Sequence, residues 1–257
     1  CYNYTGTPYT NNTVLPEVVY SYGLREAIAN QYLKEADIKG YENVKSSTFI
    51  KEVIRDFWKR YGDKTYEGLA PKLAIFGTTI DEVVYEIRPI VEETLTELGI
   101  PLDKILVNVG DESITKNDDI RHFNDLDKEG TIGSKKQFIL LCNKGREGWN
   151  CRSLFGVALF RSPQSTIFVL QATMRCLRQI TDTQQKAIVR LSKENLDILD
   201  AELNKNFRMR IDDMKNKESK PKEQFKVRIR KKKKLTLKEV RYRYSLVAKC
   251  NPQPPII

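Results

Sequence analysis

At 257 residues, with 40% hydrophobic and 30% charged side chains, the chain has room for one large domain, or one domain with appendages, around a sizeable core. No apolar run reaches eighteen residues, so no transmembrane helix and no membrane partner is expected. The net charge of +10 is concentrated: residues 215–249 hold fifteen Lys and Arg against three acids, which leaves the remainder at about −2. Five cysteines (1, 142, 151, 176 and 250) never form a CxxC pair, which argues for reduced thiols in a cytoplasmic setting and against a zinc site. The single histidine, His122, lies in the polar string DDIRHFNDLD, where a solvated position is expected, so histidine-based catalysis is close to excluded. With Cys1 first, no basic n-region and no apolar h-region, the chain reads as a piece of a longer protein.

In chain order, CYNYTGTPYT opens with a strand end at Tyr2–Tyr4 running into a Gly-Pro turn. YGLREAIANQYLKEA (22–36) predicts a helix, with Leu24, Ala27, Ile28 and Leu33 near helical spacing. STFIKEVIRDFWKRYG predicts a second, with Phe49, Val53, Ile54 and Phe57 on one face and a stop at Gly62. After Pro71 the pattern changes. KLAIFG is a continuous apolar run, followed by a helix capped near Thr78 or Thr79 and ended by Gly99. KILVNVG, QFILLCN (137–143), SLFGVALF (153–160) and KAIVRLS (186–192) are further apolar runs, with helical segments between several of them. Apolar strands alternating with helices predict an α/β fold, a parallel sheet with helices on both faces. SKENLDILDAELNKNFRMRIDDM then predicts one long helix, N-capped by Ser192, with Leu196, Leu199, Leu203 and Phe207 in line. The basic tail alternates with period two, Phe225, Val227 and Ile229 against Lys226, Arg228 and Arg230, then Val240, Tyr242 and Tyr244 against Arg241 and Arg243. That suggests two strands in a basic α+β extension able to lie along phosphates, although a Lys run is also what a solvated connector looks like.

Parallel α/β domains often hold nucleotides, yet there is no GxxxxGK[ST] loop to cradle phosphates. GTIGSKKQF has the wrong order and runs into a strand, and Asp111 and Glu112 after ILVNVG have no phosphate partner without such a loop. QSTIFVLQATMRCLR predicts a helix of about four turns in which Ile167, Leu170, Met174 and Leu177 cluster, while Gln171, Arg175 and Arg178 cluster a quarter-turn away. A solvated face would accept Lys and Glu freely, and this one has neither; the planar, permanently charged guanidinium suits phosphate. Upstream, a Gly-rich charged turn with Gly145, Gly148 and Asn150 follows an apolar strand, and loops at the carboxyl ends of parallel strands are where such folds bind ligands.

These segments together resemble superfamily 2 helicases of the DEAD/DEAH-box kind. CNKGREGWNC is similar to motif V, QATMRCLR to motif VI, YTGTP to motif III and PKLAIFGTTIDEV is placed as motif IV, in the family's order over roughly residues 1–200. The wording NKGREGW and QATMRCLR most resembles the Res subunit of type III restriction enzymes. The resemblance implies the following organisation: residues 1–22 end a first RecA-like domain and linker, 23–65 are a helical connector, 66–192 a second RecA-like domain, and 193–257 a C-terminal helix and basic extension. It implies ATP and Mg2+ as cofactors, with the magnesium ligands in the first RecA-like domain and no metal ligand in this chain. Arg178 would be an arginine finger, with Arg175 beside it and Gln171 positioning the helix or a water. Glu147, Gly148 and Asn150 would lie near the nucleotide, and Thr78, Thr79, Cys142 and Asn143 near a nucleic-acid backbone. Thr5 and Thr7 would couple the domains. DNA is the implied partner, RNA remaining open, with a modification methyltransferase subunit as a further one. Four departures stand against the pattern: Met174 in place of Gly in motif VI, Asn150 in place of Asp and Cys142 in place of Thr in motif V, and Gly6 in place of Ala in motif III. Met174 and Asn150 keep a rival open, a helicase-like binding or scaffolding module without ATP turnover. Trp149 reads as a core or interface residue before it reads as a ligand platform.

Overall fold

The computed structural model describes residues 9–10, 13–14, 22–110, 117–142, 149–161, 166–207, 209–215, 241 and 243. The apolar runs become strands. β4 (Lys72–Phe76), β6 (Phe138–Leu141) and β7 (Leu154–Leu159) are buried at every position, as strands covered on both faces must be. With β3 (Glu35–Tyr41), β5 (Ile105–Asn108) and β8 (Lys186–Ser192) they form a six-stranded sheet of order β3-β8-β7-β4-β6-β5, parallel at every pairing. Two short strands nearer the amino terminus, β1 (Tyr9–Thr10) and β2 (Thr13–Val14), pair with each other in antiparallel fashion.

Strand pleating splits the core in two. Leu73 and Ile75 of β4 point to one face, where they meet Phe49, Val53, Ile54 and Phe57 of α2 (Ser47–Tyr61) and Val91 and Leu95 of α3 (Arg88–Glu97). Ala74 and Phe76 point to the other, under Phe168, Val169 and Ala172 of α6 (Thr166–Met174) and Leu199 and Leu203 of α7 (Lys193–Phe207). α2 is N-capped by Ser46, whose Oγ accepts the Phe49 N–H at 3.2 Å, and ends at Gly62 as its sequence predicts. The helix predicted between Thr79 and Gly99 is present, but its first part, Glu82–Ile87, is a π-helical turn. Pro89 has no N–H to return to the Tyr85 carbonyl, so an α ladder cannot run through that point and the wider turn absorbs the mismatch.

Two helical expectations are corrected. The helix read over Tyr22–Ala36 is only α1 (Leu24–Ala29); Gln31 turns the chain at φ +62°, and Glu35 begins β3 beside β8. The segment 23–65, expected to be a helical connector, therefore contributes a strand to the sheet. β3 is an edge strand whose buried Ala36 and Ile38 alternate with less buried residues, so no continuous apolar run announced it. Arg190 of β8, 2% exposed, locks this edge by reaching Asp37 of β3 at 3.0 Å and Asp56 of α2 at 2.6 Å. The second correction concerns the long helix after Ser192. Ser192 does cap it, accepting the Asn195 N–H at 3.1 Å, but α7 stops at Phe207 and α8 (Ile211–Lys215) follows. Asp213 accepts the Arg210 N–H and Asp200 the Ile211 N–H, both at 2.9 Å, which starts a new helix. Phe207 is consequently exposed, and Met209, Ile211 and Met214 take the buried positions. α4 (Asn117–Asn124) and α5 (Ile132–Lys135) lie between β5 and β6. His122 of α4 is half-buried, not solvated as its polar surroundings predict. The strands expected in the basic tail fall outside the described residues, apart from Arg241 and Arg243, both exposed.

Candidate functional site

The stretch around Arg178 is not one continuous helix. α6 ends at Met174, tightens into a 3-10 turn at Arg175–Leu177, and releases Arg178 into extended backbone (φ −62°, ψ 125°). Thr173 helps close the α-helical part by bonding back to the Val169 carbonyl at 2.7 Å. The buried face of α6 is also corrected: it consists of Phe168, Val169, Ala172 and Thr173, whereas Leu170 and Met174 are only partly buried. α6 packs against α7 as well as the sheet, so a wider face is covered than a single stripe. Leu177 is buried as expected, and the Ile167 side chain lies outside the described residues. Arg178 forms an antiparallel bridge with Leu33, and the next residue along, Lys34, donates its N–H to the Leu177 carbonyl at 2.6 Å.

Two arginines converge on the start of the loop before β7. Arg178 donates to the Asn150 side-chain oxygen, and Arg175 donates to the Trp149 carbonyl at 2.6 Å. Gln171 stands exposed on α6, a turn ahead of Arg175. The loop itself is fixed from other sides by residues that sequence reasoning missed. Asp127 accepts the Arg152 N–H, the Ser153 N–H at 3.2 Å and the Ser153 hydroxyl. Lys34, with no exposed surface, donates to the Arg152 carbonyl at 2.7 Å and the Leu154 carbonyl at 2.9 Å, its ammonium 3.9 Å from the centre of the Phe155 ring. Burial lowers the Lys34 pKa to about 8. Trp149 stacks on Phe123 of α4, ring centroids 5.1 Å apart, and is 8% exposed, so it is a core residue. Lys34 fell in a segment read as helix and Asp127 in a string read as merely polar; neither has a local signature. Cys151 and Cys176 are buried beside this loop, and burial pushes both thiols up to about 12, which leaves them protonated and unreactive at neutral pH.

At the opposite edge, Thr78 and Thr79 follow β4. The Thr78 N–H donates to the Glu82 carboxylate, Thr79 Oγ1 accepts the Glu82 N–H at 3.2 Å, and Lys45 donates to Thr78 Oγ1 at 3.2 Å while pairing with Glu82. Thr79 is exposed and Thr78 half-exposed. Cys142 is a correction: it is fully buried with its thiol 3.5 Å from the Thr78 carbonyl, so its side chain is turned away from any backbone lying over this edge. Glu147, Gly148, Asn143, Thr5, Thr7, Lys226, Arg228, Arg230, Asp111 and Glu112 lie outside the described residues. Among the described residues no group of three or more His, Cys, Asp or Glu is arranged to hold a metal ion. What the Arg178 site offers is guanidinium charge, which fits the phosphates of a nucleotide.

No protein-family model and no curated protein sequence matches the chain. Its fold is similar to that of a fragment described as the HsdR subunit of a type I restriction enzyme from Vibrio vulnificus YJ016, with a TM-score of 0.53 and 16% identity over 70% of this chain. The chain spans 36% of that fragment's length. Weaker likenesses are to domain 2 of the DEAD-box helicase Mss116p bound to an RNA duplex (TM-score 0.47, 16% identity, 69% of this chain and 61% of that one) and to the ATP-dependent type ISP restriction-modification enzyme LlaBIII bound to DNA (TM-score 0.45, 15% identity, 65% and 12%). The all-parallel six-stranded sheet with helices on both faces is an α/β fold of the RecA-like kind. Among the described residues, no helix is long and apolar enough to cross a membrane.

Proposed function

We propose that the chain is the second RecA-like domain of an ATP-dependent superfamily 2 DNA helicase or translocase, of the type III restriction (Res) kind that NKGREGW and QATMRCLR suggest. The observation that carries the reading is the convergence of Arg178 and Arg175 on the Trp149–Asn150 turn, which holds two guanidinium groups at one edge of the sheet. ATP binds between two such domains, the other supplying the phosphate-binding loop and the magnesium ligands. Arg178 reaches the γ-phosphate and neutralises charge that develops as the phosphoryl group transfers; its bond to Asn150 holds the guanidinium ready. Arg175 acts beside it, Gln171 orients the helix or a water, and Glu147 and Gly148 approach the nucleotide with Asn150. Thr78, Thr79 and Asn143 contact the DNA backbone, and Lys226, Arg228, Arg230, Arg241 and Arg243 also meet phosphates, so binding weakens steeply with salt. Thr5 and Thr7 couple the domains, and a modification methyltransferase is the expected partner subunit.

In the protein carrying both RecA-like domains, Arg178→Ala is expected to lower DNA-stimulated ATP hydrolysis by about 10³-fold or more while DNA binding persists. Normal stimulated hydrolysis by that variant overturns the motor reading. The second reading, a nucleic-acid-binding module without turnover, is favoured by one observation: the Arg178 guanidinium is already engaged by Asn150. It requires the wild-type protein to bind DNA and show no stimulated hydrolysis at all.

A further inference from the structure

Lys34 closes a ring of contacts around Arg178. Its main chain holds one side: the Lys34 N–H donates to the Leu177 carbonyl at 2.6 Å, and its neighbour Leu33 bridges Arg178. Its side chain holds the other, Nζ donating to the Arg152 carbonyl at 2.7 Å and the Leu154 carbonyl at 2.9 Å. Asn150, two residues before Arg152, accepts from the Arg178 guanidinium and completes the circuit. One residue therefore sets the separation between the backbone that carries Arg178 and the turn that holds its head group. Asp127 grips that turn through Arg152 and Ser153 and gives it a fixed floor, whereas Lys34 joins the turn to the Arg178 strand.

Stability alone does not explain a lysine here. The side chain has no exposed surface, and taking an ammonium out of water is costly. A methionine of similar length would fill the space without that cost. What the ammonium adds is direction: charge-assisted bonds to two carbonyls fix where the turn sits, as an apolar side chain cannot. We propose that Lys34 is a positioning residue for Arg178, a charged strut that keeps the guanidinium where it meets a phosphoryl group. The inference rests on the proposed function and adds to it the residue that sets the geometry of the arginine finger. Lys34 touches neither nucleotide nor reacting atoms, so its effect falls on kcat. A misplaced guanidinium loses contacts made in the transition state and leaves nucleotide binding nearly as it was.

The charge of the strut can be switched off. Burial lowers the Lys34 pKa to about 8. The groups facing it are Cys176 of the 3-10 turn, Cys151 and Arg152 of the turn before β7, and Asp127 between α4 and α5. Both thiols stay protonated there, pushed up to about 12 by burial. A neutral amine donates weaker bonds, so the strut slackens as pH rises through about 8. The contribution of Lys34 to stability moves the other way in that window, because the unfolded chain binds the extra proton. The two directions separate a positioning role from a merely structural one.

The test uses the protein with both RecA-like domains, with ATP and DNA saturating. Lys34→Met is expected to lower kcat by about 10²-fold with the KM for ATP nearly unchanged. Wild-type kcat is expected to fall as pH rises above about 8, and Lys34→Met to lack that limb. Lys72, whose pKa burial also lowers, is present in both proteins, so the comparison isolates Lys34. Amide hydrogen exchange in the variant should quicken at Lys34, Arg152 and Ser153 together, by about tenfold. Should Lys34→Met fail to fold, Gln184→Ala removes the 3.1 Å bond to the Leu33 carbonyl on the same ring and is expected to lower kcat several-fold at unchanged KM. An unchanged kcat in Gln184→Ala then overturns the strut. So does a kcat for Lys34→Met within about twofold of wild type, or a KM that rises while kcat holds. If Arg178→Ala still abolishes turnover, the motor reading survives that failure. A high-pH limb shared by wild type and Lys34→Met overturns the strut as well. Normal stimulated hydrolysis by Arg178→Ala overturns the motor reading and the strut together.

Discussion

At the carboxyl edge of the sheet, Thr78, Thr79 and Glu82 satisfy one another through helix capping, and Cys142 closes the floor beneath them. At the amino edge, two fully buried lysines, Lys34 and Lys72, are spent on backbone carbonyls, and Asp127 gathers donors from the turn before β7. Helix polarity adds to the contrast. In a parallel sheet the connecting helices run back against the strands, so helix N-termini lie over the carboxyl edge and C-termini over the amino edge. Partial positive charge at the first favours a carboxylate such as Glu82, and partial negative charge at the second favours cations. α2 ends accordingly in Lys59 and Arg60, and α6 runs into Arg175 and Arg178. The amino edge is thus a place where positive charge accumulates at low cost, and Arg178 is one of its exposed members.

The contrast can be broken first at Asp127. Asp127→Ala strips three donors of their acceptor, two of them on the buried Ser153, and is expected to cost about 4 kcal/mol in urea unfolding. A cost under about 1 kcal/mol would mean that the carboxylate does not hold the turn. Lys34 sharpens the comparison through pH. Its folded pKa of about 8 lies below the ordinary 10.5, so between those values the unfolded chain binds more protons and stability rises with pH. Wild type should therefore gain up to roughly 3 kcal/mol over Lys34→Met between pH 8 and 10.5, with little further change in the difference below pH 8. Using the difference cancels the opposite contribution of the buried Cys151 and Cys176 thiols. A difference that is flat across that window contradicts the buried lysine. At the carboxyl edge the stakes are smaller: Thr79→Ala removes one capping acceptor and should lower stability by about 1 kcal/mol, read as a small drop in Tm.

The sheet was legible because its central strands are buried on both faces and so read as unbroken apolar runs. β3 was not, since an edge strand shows only Ala36 and Ile38 as buried apolar positions, and the preceding helix-forming residues drew the reading onward. The break after Phe207 escaped for a different reason: Asp200 and Asp213 start α8 through bonds that depend on the fold, not on local spacing. At the candidate site, the sequence singled out Arg175, Arg178 and Asn150, and the structure brings these three to one turn. It did not reveal that Arg178 leaves the helix, nor that Cys142 faces inward. It was blind to Lys34 and Asp127, whose roles come from residues far along the chain. Single buried polar groups carry no period and leave no pattern to read.

The position of β3 in the sheet also sets an order of assembly. Its partner β8 is the last strand among the described residues, so Glu35 meets Lys186 across a stretch of about 150 residues, and the pairing forms after much of the intervening domain. β4, β6 and β7 close shorter loops and can collapse earlier, at lower entropic cost. The segment bearing Lys34 therefore docks late, and by the same reckoning it is among the first to open under thermal fluctuation. Until it docks, β8 presents a bare ladder of N–H and C=O groups to the surroundings, a template on which another molecule could pair. A newly made chain is most vulnerable to association in that interval, and the strand that completes the wall beside Arg178 also shields it.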